Sequence, residues 1–96
     1  MYNKNLFIEM AANAVQLIAT CEKALADQNQ KDKVFWIDSK NKAFELFSNA
    51  MRTLGMTSKI SNKVINMNHD EVASYLNHRL NSHIYYKATK TNSYAS

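Results

Sequence analysis

Three histidines and one cysteine are the residues of this sequence whose types could bind a metal or attack a substrate. His78 and His83 are five positions apart, which does not put them on one helix face, and His69 lies further away. No cysteine or carboxylate near them completes a set of zinc ligands. The sequence also has no serine–histidine–aspartate pattern, no glycine-rich phosphate loop and no paired carboxylates. We therefore expect no enzymatic activity, no metal centre and no cofactor.

The single cysteine, Cys21, cannot form a disulfide within the chain. It lies on the apolar face of a predicted helix, which favours a buried structural thiol over a reactive one. The sequence does not decide whether Cys21 forms a disulfide with a second chain.

Basic and amide side chains in the second half of the sequence are of the types that contact DNA. Arginine and asparagine pair with guanine and adenine edges in the major groove, and lysines hold phosphates without specifying sequence. The same residues could instead form an ordinary solvated face, and the sequence alone leaves both readings open. The candidate DNA-binding residues are Lys59, Lys63, Asn77, Arg79, Lys87 and Lys90.

The formal net charge of +4 lies entirely in that half. Residues 1–51 carry six basic and six acidic side chains, whereas residues 52–96 carry six basic and two acidic ones, a difference of four. A basic half suggests a surface that faces phosphate. Small proteins are also often mildly basic for no functional reason.

Length and composition indicate one small helical domain. The chain has 96 residues, 46% of them hydrophobic and 21% charged, with one glycine and no proline, which suits long helices. A chain this short buries a modest core, so oligomerisation would help it. No apolar run approaches the roughly 20 residues that span a bilayer, and the N-terminus is not a signal-peptide pattern. The expected location is the cytoplasm, without contact with a membrane.

Two long helices are predicted first. One starts near Asn3 or Asn5 and ends near Ala26, and its heptad stripe favours a helix partner in this chain or in a second copy. Ile8, Val15 and Leu17 widen that stripe. After a polar loop at 27–32, a second helix begins with four bulky residues, 34–37, which cannot all share one face. The predicted dimer and partner interface consists of Phe7, Ala11, Ala14, Ile18, Phe35 and Trp36.

Two shorter helices follow. Gly55 is placed to end the second helix, and Ser58 or Thr57 to start the third. Asn68 and Glu71 have the spacing of a capping box, so a fourth helix begins at His69. This arrangement indicates a helix-turn-helix, or else an ordinary helix corner. We predict an all-α bundle of about four helices over 1–86 with a helix-turn-helix-like C-terminal half, dimeric, and a flexible tail at 87–96.

The stretch Ala50 to Leu76 (AMRTLGMTSKISNKVINMNHDEVASYL) resembles the FlhD family of flagellar transcriptional activators. That family has an Ala-Met pair shortly before Leu-Gly-aliphatic and then Ser or Thr, and the apolar register that follows fits without a gap. The matching residues are Ala50, Met51, Leu54, Gly55, Met56 and Thr57, followed by Ile60, Val64, Met67 and Val72.

The sequence also departs from that family. Thr53 stands where the family has arginine, and His69-Asp70 where it has Leu-Pro. His83 is the nearest equivalent of a family cysteine, which puts a family-type interchain disulfide in doubt. Residues up to Lys33 do not align. The chain is therefore similar to a divergent relative, of the type encoded on conjugative plasmids and other mobile genetic elements.

The resemblance implies a DNA-binding transcriptional co-activator subunit, a homodimer that joins a larger FlhC-like subunit. In that family the larger subunit carries the zinc and much of the DNA binding. An alternative is a small phage or plasmid protein that binds a host protein, as an inhibitor or adaptor, through the 34–37 cluster. A third is a purely structural subunit of a helical bundle.

Overall fold

A computed structural model describes residues 3–81, which form four helices and no strand. Helix α1 is Lys4–Ala26, α2 is Lys33–Thr53 and α3 is Ser58–Val64. The fourth helix, α4, covers residues 69–81, up to the last described residue. The predicted all-α bundle of about four helices is thus confirmed. The predicted tail at 87–96 and the preceding residues 82–86 lie outside the described part of the chain.

Local hydrogen bonds fix where α1 and α2 begin. The side chain of Asn3 accepts from the backbone N–H groups of Asn5 and Leu6, at 3.0 and 3.4 Å, and so satisfies two donors that a helix start leaves unpaired. Asp32 directly precedes α2 but makes no side-chain cap bond, and its backbone carbonyl accepts from the N–H of Trp36 instead. The start of α2 therefore has weaker local support than the start of α1.

The end of α2 is a Schellman motif centred on Gly55. The N–H of Gly55 donates to the carbonyl of Arg52 at 3.0 Å, and the N–H of Met56 donates to that of Met51 at 2.9 Å. This bonding requires a left-handed residue, and Gly55 has φ +74°. The predicted helix end is confirmed, and it turns the chain from α2 towards α3.

The start of α4 is the predicted capping box. The N–H of Glu71 donates to the side-chain oxygen of Asn68 at 2.9 Å, and the N–H of Asn68 donates to the carboxylate of Glu71 at 3.2 Å. Thr57 caps α3 in the simpler way, accepting from Ile60 at 3.4 Å. Residues 65–68 therefore join α3 to α4.

Helix α1 contacts both α2 and α4. Glu22 and Lys40 form an ion pair of 3.6 Å, which joins the second half of α1 to the first half of an antiparallel α2. Lys4 of α1 contacts α4, where its Nζ donates to Asn81 at 2.9 Å. The core between these helices is apolar, and Cys21 is buried in it as predicted.

Candidate nucleic-acid interface and assembly surfaces

Four of the six predicted DNA-binding residues lie in the described part of the chain. Lys59 and Lys63 are exposed on α3, Arg79 is exposed on α4, and Asn77 is half-buried. Lys87 and Lys90 are outside the described residues.

Lys59, Lys63 and Arg79 share one edge of the α3–α4 pair. The Nζ of Lys63 lies 5.0 Å from the centre of the Tyr75 ring, a cation–π distance that joins the two helices. Lys59 is one turn before Lys63 on α3, and Arg79 is one turn after Tyr75 on α4, so each lies on the same stripe of its helix as one member of this contact. We call these four residues the basic edge. Its charges can meet a row of phosphates.

Asn77 is not part of the basic edge. Two positions along a helix correspond to about 200° of rotation, so Asn77 and Arg79 point to nearly opposite sides of α4. Asn77 lies on the same side as Asn81, which contacts Lys4 of α1. The predicted pair of base-reading residues therefore does not face one surface, because the spacing of two is a strand period and not a helical one.

The first turn of α4 is acidic. His69 Nδ1 lies 3.0 Å from the carboxylate of Asp70, and His69 Nε2 lies 3.3 Å from that of Glu9 on α1. Glu71 is in the same turn. Carboxylates suit a helix N-terminus, where the dipole favours negative charge, but they repel phosphate. This end of α4 is therefore unlike a helix start that binds phosphate.

The contacts of His69 raise its pKa above the ordinary value of 6.5. The hydrogen bond with Asp70 is the largest cause; partial desolvation opposes it, and the charge and hydrogen bond of Glu9 add to it. Both ring nitrogens face carboxylate oxygens, and only the protonated ring can donate from both. His69 is thus a pH-dependent link between α1 and α4.

One side of the α1–α2 hairpin exposes large apolar residues. Leu6 and Leu17 are eleven positions apart on α1, and Phe35 and Leu46 are eleven apart on α2, so each pair lies three turns apart on one stripe. Glu22 and Lys40 are paired across the two antiparallel helices. Leu17 is five residues before Glu22 and Leu46 is six residues after Lys40, so both leucines lie at about the same height along the hairpin. We call these four residues the apolar face. Their exposed fractions range from 40% to 59%.

The predicted interface residues are mostly elsewhere. Ala11, Ala14 and Ile18 are buried in the core of their own chain, so they offer no surface to a second copy in this structure. Phe7 and Trp36 are half-buried. Of the six, Phe35 is exposed and belongs to the apolar face. The homodimer itself stays a prediction.

The four bulky residues at the start of α2 point in different directions. Trp36 is half-buried and its ring meets the edge of Phe35 at 5.2 Å between centres. Val34 and Ile37 are exposed on the other side of α2, at 82% and 49%. The expectation that these residues cannot share one face is confirmed.

The exposure of several apolar residues was not predicted from the sequence. The predicted place of Leu17 in the apolar stripe of the core is wrong, because no helix within residues 3–81 covers its side of α1. Leu6 and Leu46 were assigned no role. The signal that could have found these residues is the repeated spacing of eleven on two adjacent helices.

The described residues add no sign of a metal site or a membrane span. Among residues 3–81, no three or more side chains of histidine, cysteine, aspartate or glutamate lie together as ligands. Within the same range no helix is long and apolar enough to cross a bilayer. Comparisons with protein-family models, curated proteins and solved structures gave no match.

Proposed function

We propose that this chain is the small subunit of a DNA-binding transcriptional activator. It acts in the cytoplasm as a homodimer together with a larger FlhC-like subunit. The sequence resemblance over Ala50 to Leu76 supports this proposal, and the basic edge is the observation that carries it. The chain has one surface suited to assembly and another suited to phosphate, and they belong to different helix pairs.

The apolar face supports dimerisation. It is about 30 Å long and two helices wide, a footprint of about 600 Å², which is of the order of the roughly 800 Å² that each partner contributes to a standard interface. Residues 10–21 of α1 include no charged side chain. Depletion of charge is typical of the core of an interface, and a face that is nearly neutral can meet its own copy without repulsion.

The rim of the apolar face has both signs of charge. Asp38 and Lys42 form an i,i+4 ion pair of 3.1 Å on α2, next to Phe35 and Leu46. In a two-fold dimer each of these side chains can face the opposite charge of the copy. This self-complementarity favours a second copy of the chain on the apolar face.

The basic edge supports contact with DNA through phosphates. Lysine and arginine on adjacent turns give a row of positive charge, and the Tyr75 ring holds Lys63 in place. The nearest carboxylate on α4, that of Glu71, is turned back to the N–H of Asn68. DNA would therefore lie along the side of the α3–α4 pair, away from the acidic start of α4.

Co-expression with the gene of a larger neighbouring subunit tests this function. The products are separated by size-exclusion chromatography with light scattering and titrated with promoter DNA. We expect a stable complex containing two copies of this chain, with a DNA affinity that falls steeply with salt. A lone dimer without DNA affinity at low salt would contradict the proposal.

A protein that binds a host protein as an inhibitor or adaptor is the second candidate function. The exposure of Phe35 at the start of α2, with its ring against that of Trp36, favours it, since large aromatic side chains are frequent anchors of binding hot spots. Phe35→Ala is a cleaner test than Trp36→Ala because Trp36 is half-buried. Loss of a protein partner with DNA binding intact would favour the adaptor.

A further inference from the structure

A groove lies between α1, α2 and α3, on the side of the hairpin opposite the apolar face. Its volume is about 770 Å³ and it is open to solvent along one side. Each helix contributes residues at spacings of three and four, so the walls are three helical stripes. The large apolar side chains that line it are those of Ile18, Phe44, Phe47, Met56, Ile65 and Met67.

Polar and charged groups surround this apolar lining. Ser48, Ser58 and Asn62 supply hydrogen-bonding groups on the α2 and α3 walls. Glu22 and Arg52 are the charged residues of the groove. An apolar floor with a polar rim is the arrangement of a site that binds another molecule.

The two charged residues differ in their partners. Glu22 is neutralised by Lys40 at 3.6 Å. The guanidinium of Arg52 makes no ion pair or hydrogen bond with the described part of the chain. Arg52 therefore leaves a positive charge with unused donors at one end of the groove, where it can bind a carboxylate.

The groove has the length of a short helix. Glu22 and Arg52 are at the two ends of the groove, and Lys40, the ion-pair partner of Glu22, lies twelve residues before Arg52 on α2. Twelve helical residues correspond to a length of about 18 Å. Ile37 and Phe44 lie seven positions apart on the same stripe of α2 and continue the apolar floor outward. Met56 and Met67 can adapt to side chains of different shape.

We infer that this groove is the docking site for an amphipathic helix of a partner protein, with an acidic C-terminal end beside Arg52. The apolar face of such a helix would cover Phe44 and its neighbours, as in other helix-in-groove complexes. Its C-terminal dipole and carboxylates complement the free charge of Arg52. The inference rests on the proposed function only in that both require a protein partner, and it depends neither on DNA binding nor on dimerisation.

The test uses the full chain and a synthetic, end-blocked peptide probe. The peptide is about twelve residues long, with leucines at i, i+3, i+4 and i+7, lysines in its first turn and glutamates in its last. A second peptide of the same composition has these charges exchanged. Fluorescence anisotropy of the labelled peptides measures binding, and circular dichroism verifies that each variant is folded.

We expect saturable binding of the first peptide, and about tenfold weaker binding after Phe44→Glu or Ser48→Trp. The matched controls are Asn49→Glu and Asn49→Trp, which alter an exposed position of α2 outside the groove and should change the affinity by less than about twofold. Arg52→Glu should reverse the preference between the two peptides.

Three results would overturn the docking site. The first is that the wild-type chain shows no saturable binding of the peptide. The second is that the folded groove variants bind the peptide as tightly as the wild-type chain does. The third is that the control variants, and not the groove variants, lose affinity for the peptide. DNA binding is not measured in this experiment, so a failure of the proposed activator function leaves its outcome unaffected.

Discussion

Lys63 and Tyr75 join α3 to α4, with the ammonium group 5.0 Å from the centre of the aromatic ring. Lys59 lies one turn from Lys63 on α3, and Arg79 lies one turn from Tyr75 on α4. The contact joins the helix that carries Lys59 and Lys63 to the helix that carries Arg79, so the proposed DNA interface includes side chains of both helices. Asn77 lies on the far side of α4 and is not aligned with them.

The different directions of Arg79 and Asn77 give the first prediction. Arg79→Ala should weaken promoter binding by the complex by about 1–3 kcal/mol if the guanidinium reads a base. Asn77→Ala should leave the affinity unchanged, because Asn77 faces away from the basic edge. A gel-shift titration measures both.

Lys33→Ala is the control for the Arg79 and Asn77 variants. It removes an exposed positive charge at the start of α2, outside the basic edge. Equal affinities of the Arg79 variant and the wild-type complex would remove Arg79 from the interface.

The apolar face gives a prediction on assembly. Leu17→Glu places a carboxylate at the centre of this face, next to Leu46, and in a two-fold dimer the two new charges approach each other. We expect the mass measured by light scattering to fall from twice 11.0 kDa to 11.0 kDa. Gln16→Glu adds the same charge at an exposed position off this face and should leave the dimer intact. A dimer that survives Leu17→Glu would mean that another surface joins the copies.

The capping box of α4 gives a prediction on stability. Asn68→Ala removes the acceptor for the N–H of Glu71 and should lower the free energy of unfolding by about 1 kcal/mol. Urea denaturation followed by circular dichroism measures the change. Asn66→Ala, two residues earlier on an exposed turn, is the control and should cost much less. Equal losses in the two variants would show that the cap bond contributes nothing specific.

The contacts of His69 with Asp70 and Glu9 make stability depend on pH. The pKa of His69 is higher in the folded chain than its ordinary value of 6.5, so the folded state binds the proton more tightly than the unfolded state. The stabilisation is fully present below about pH 6.5 and is lost as the pH rises through the folded-state pKa.

His69→Gln should therefore lower the melting temperature more at about pH 5.5 than at about pH 8. His78→Gln, an exposed histidine of the same helix, is the control. The same loss for His69→Gln at both pH values would show that the link does not depend on protonation.

Local features of the fold could be predicted from the sequence. Gly55 and the Asn68–Glu71 pair act through hydrogen bonds to residues within four positions, so the residue types alone specify where α2 ends and α4 begins. The order and approximate length of the helices follow from such signals and from apolar periodicity.

The surfaces could not be predicted in the same way. Whether Leu17 is buried depends on where α4 packs, and α4 covers the side of α1 that includes Glu9. Phe44 lines the open groove because α3 closes only part of that side of α2. These outcomes depend on contacts between residues far apart in the sequence, which periodicity within one helix does not encode.

The most direct test of the proposed function is the salt dependence of DNA affinity for two charge-matched variants of the complex. One replaces Lys59, Lys63 and Arg79 with glutamine, and the other replaces Lys23, Lys31 and Lys33. Because each phosphate contact contributes about 0.9 to the slope of log affinity against log salt, we expect the first variant to lose about 2 to 3 from this slope. The second should keep the wild-type slope. The same slope in both variants would contradict DNA contact through the basic edge.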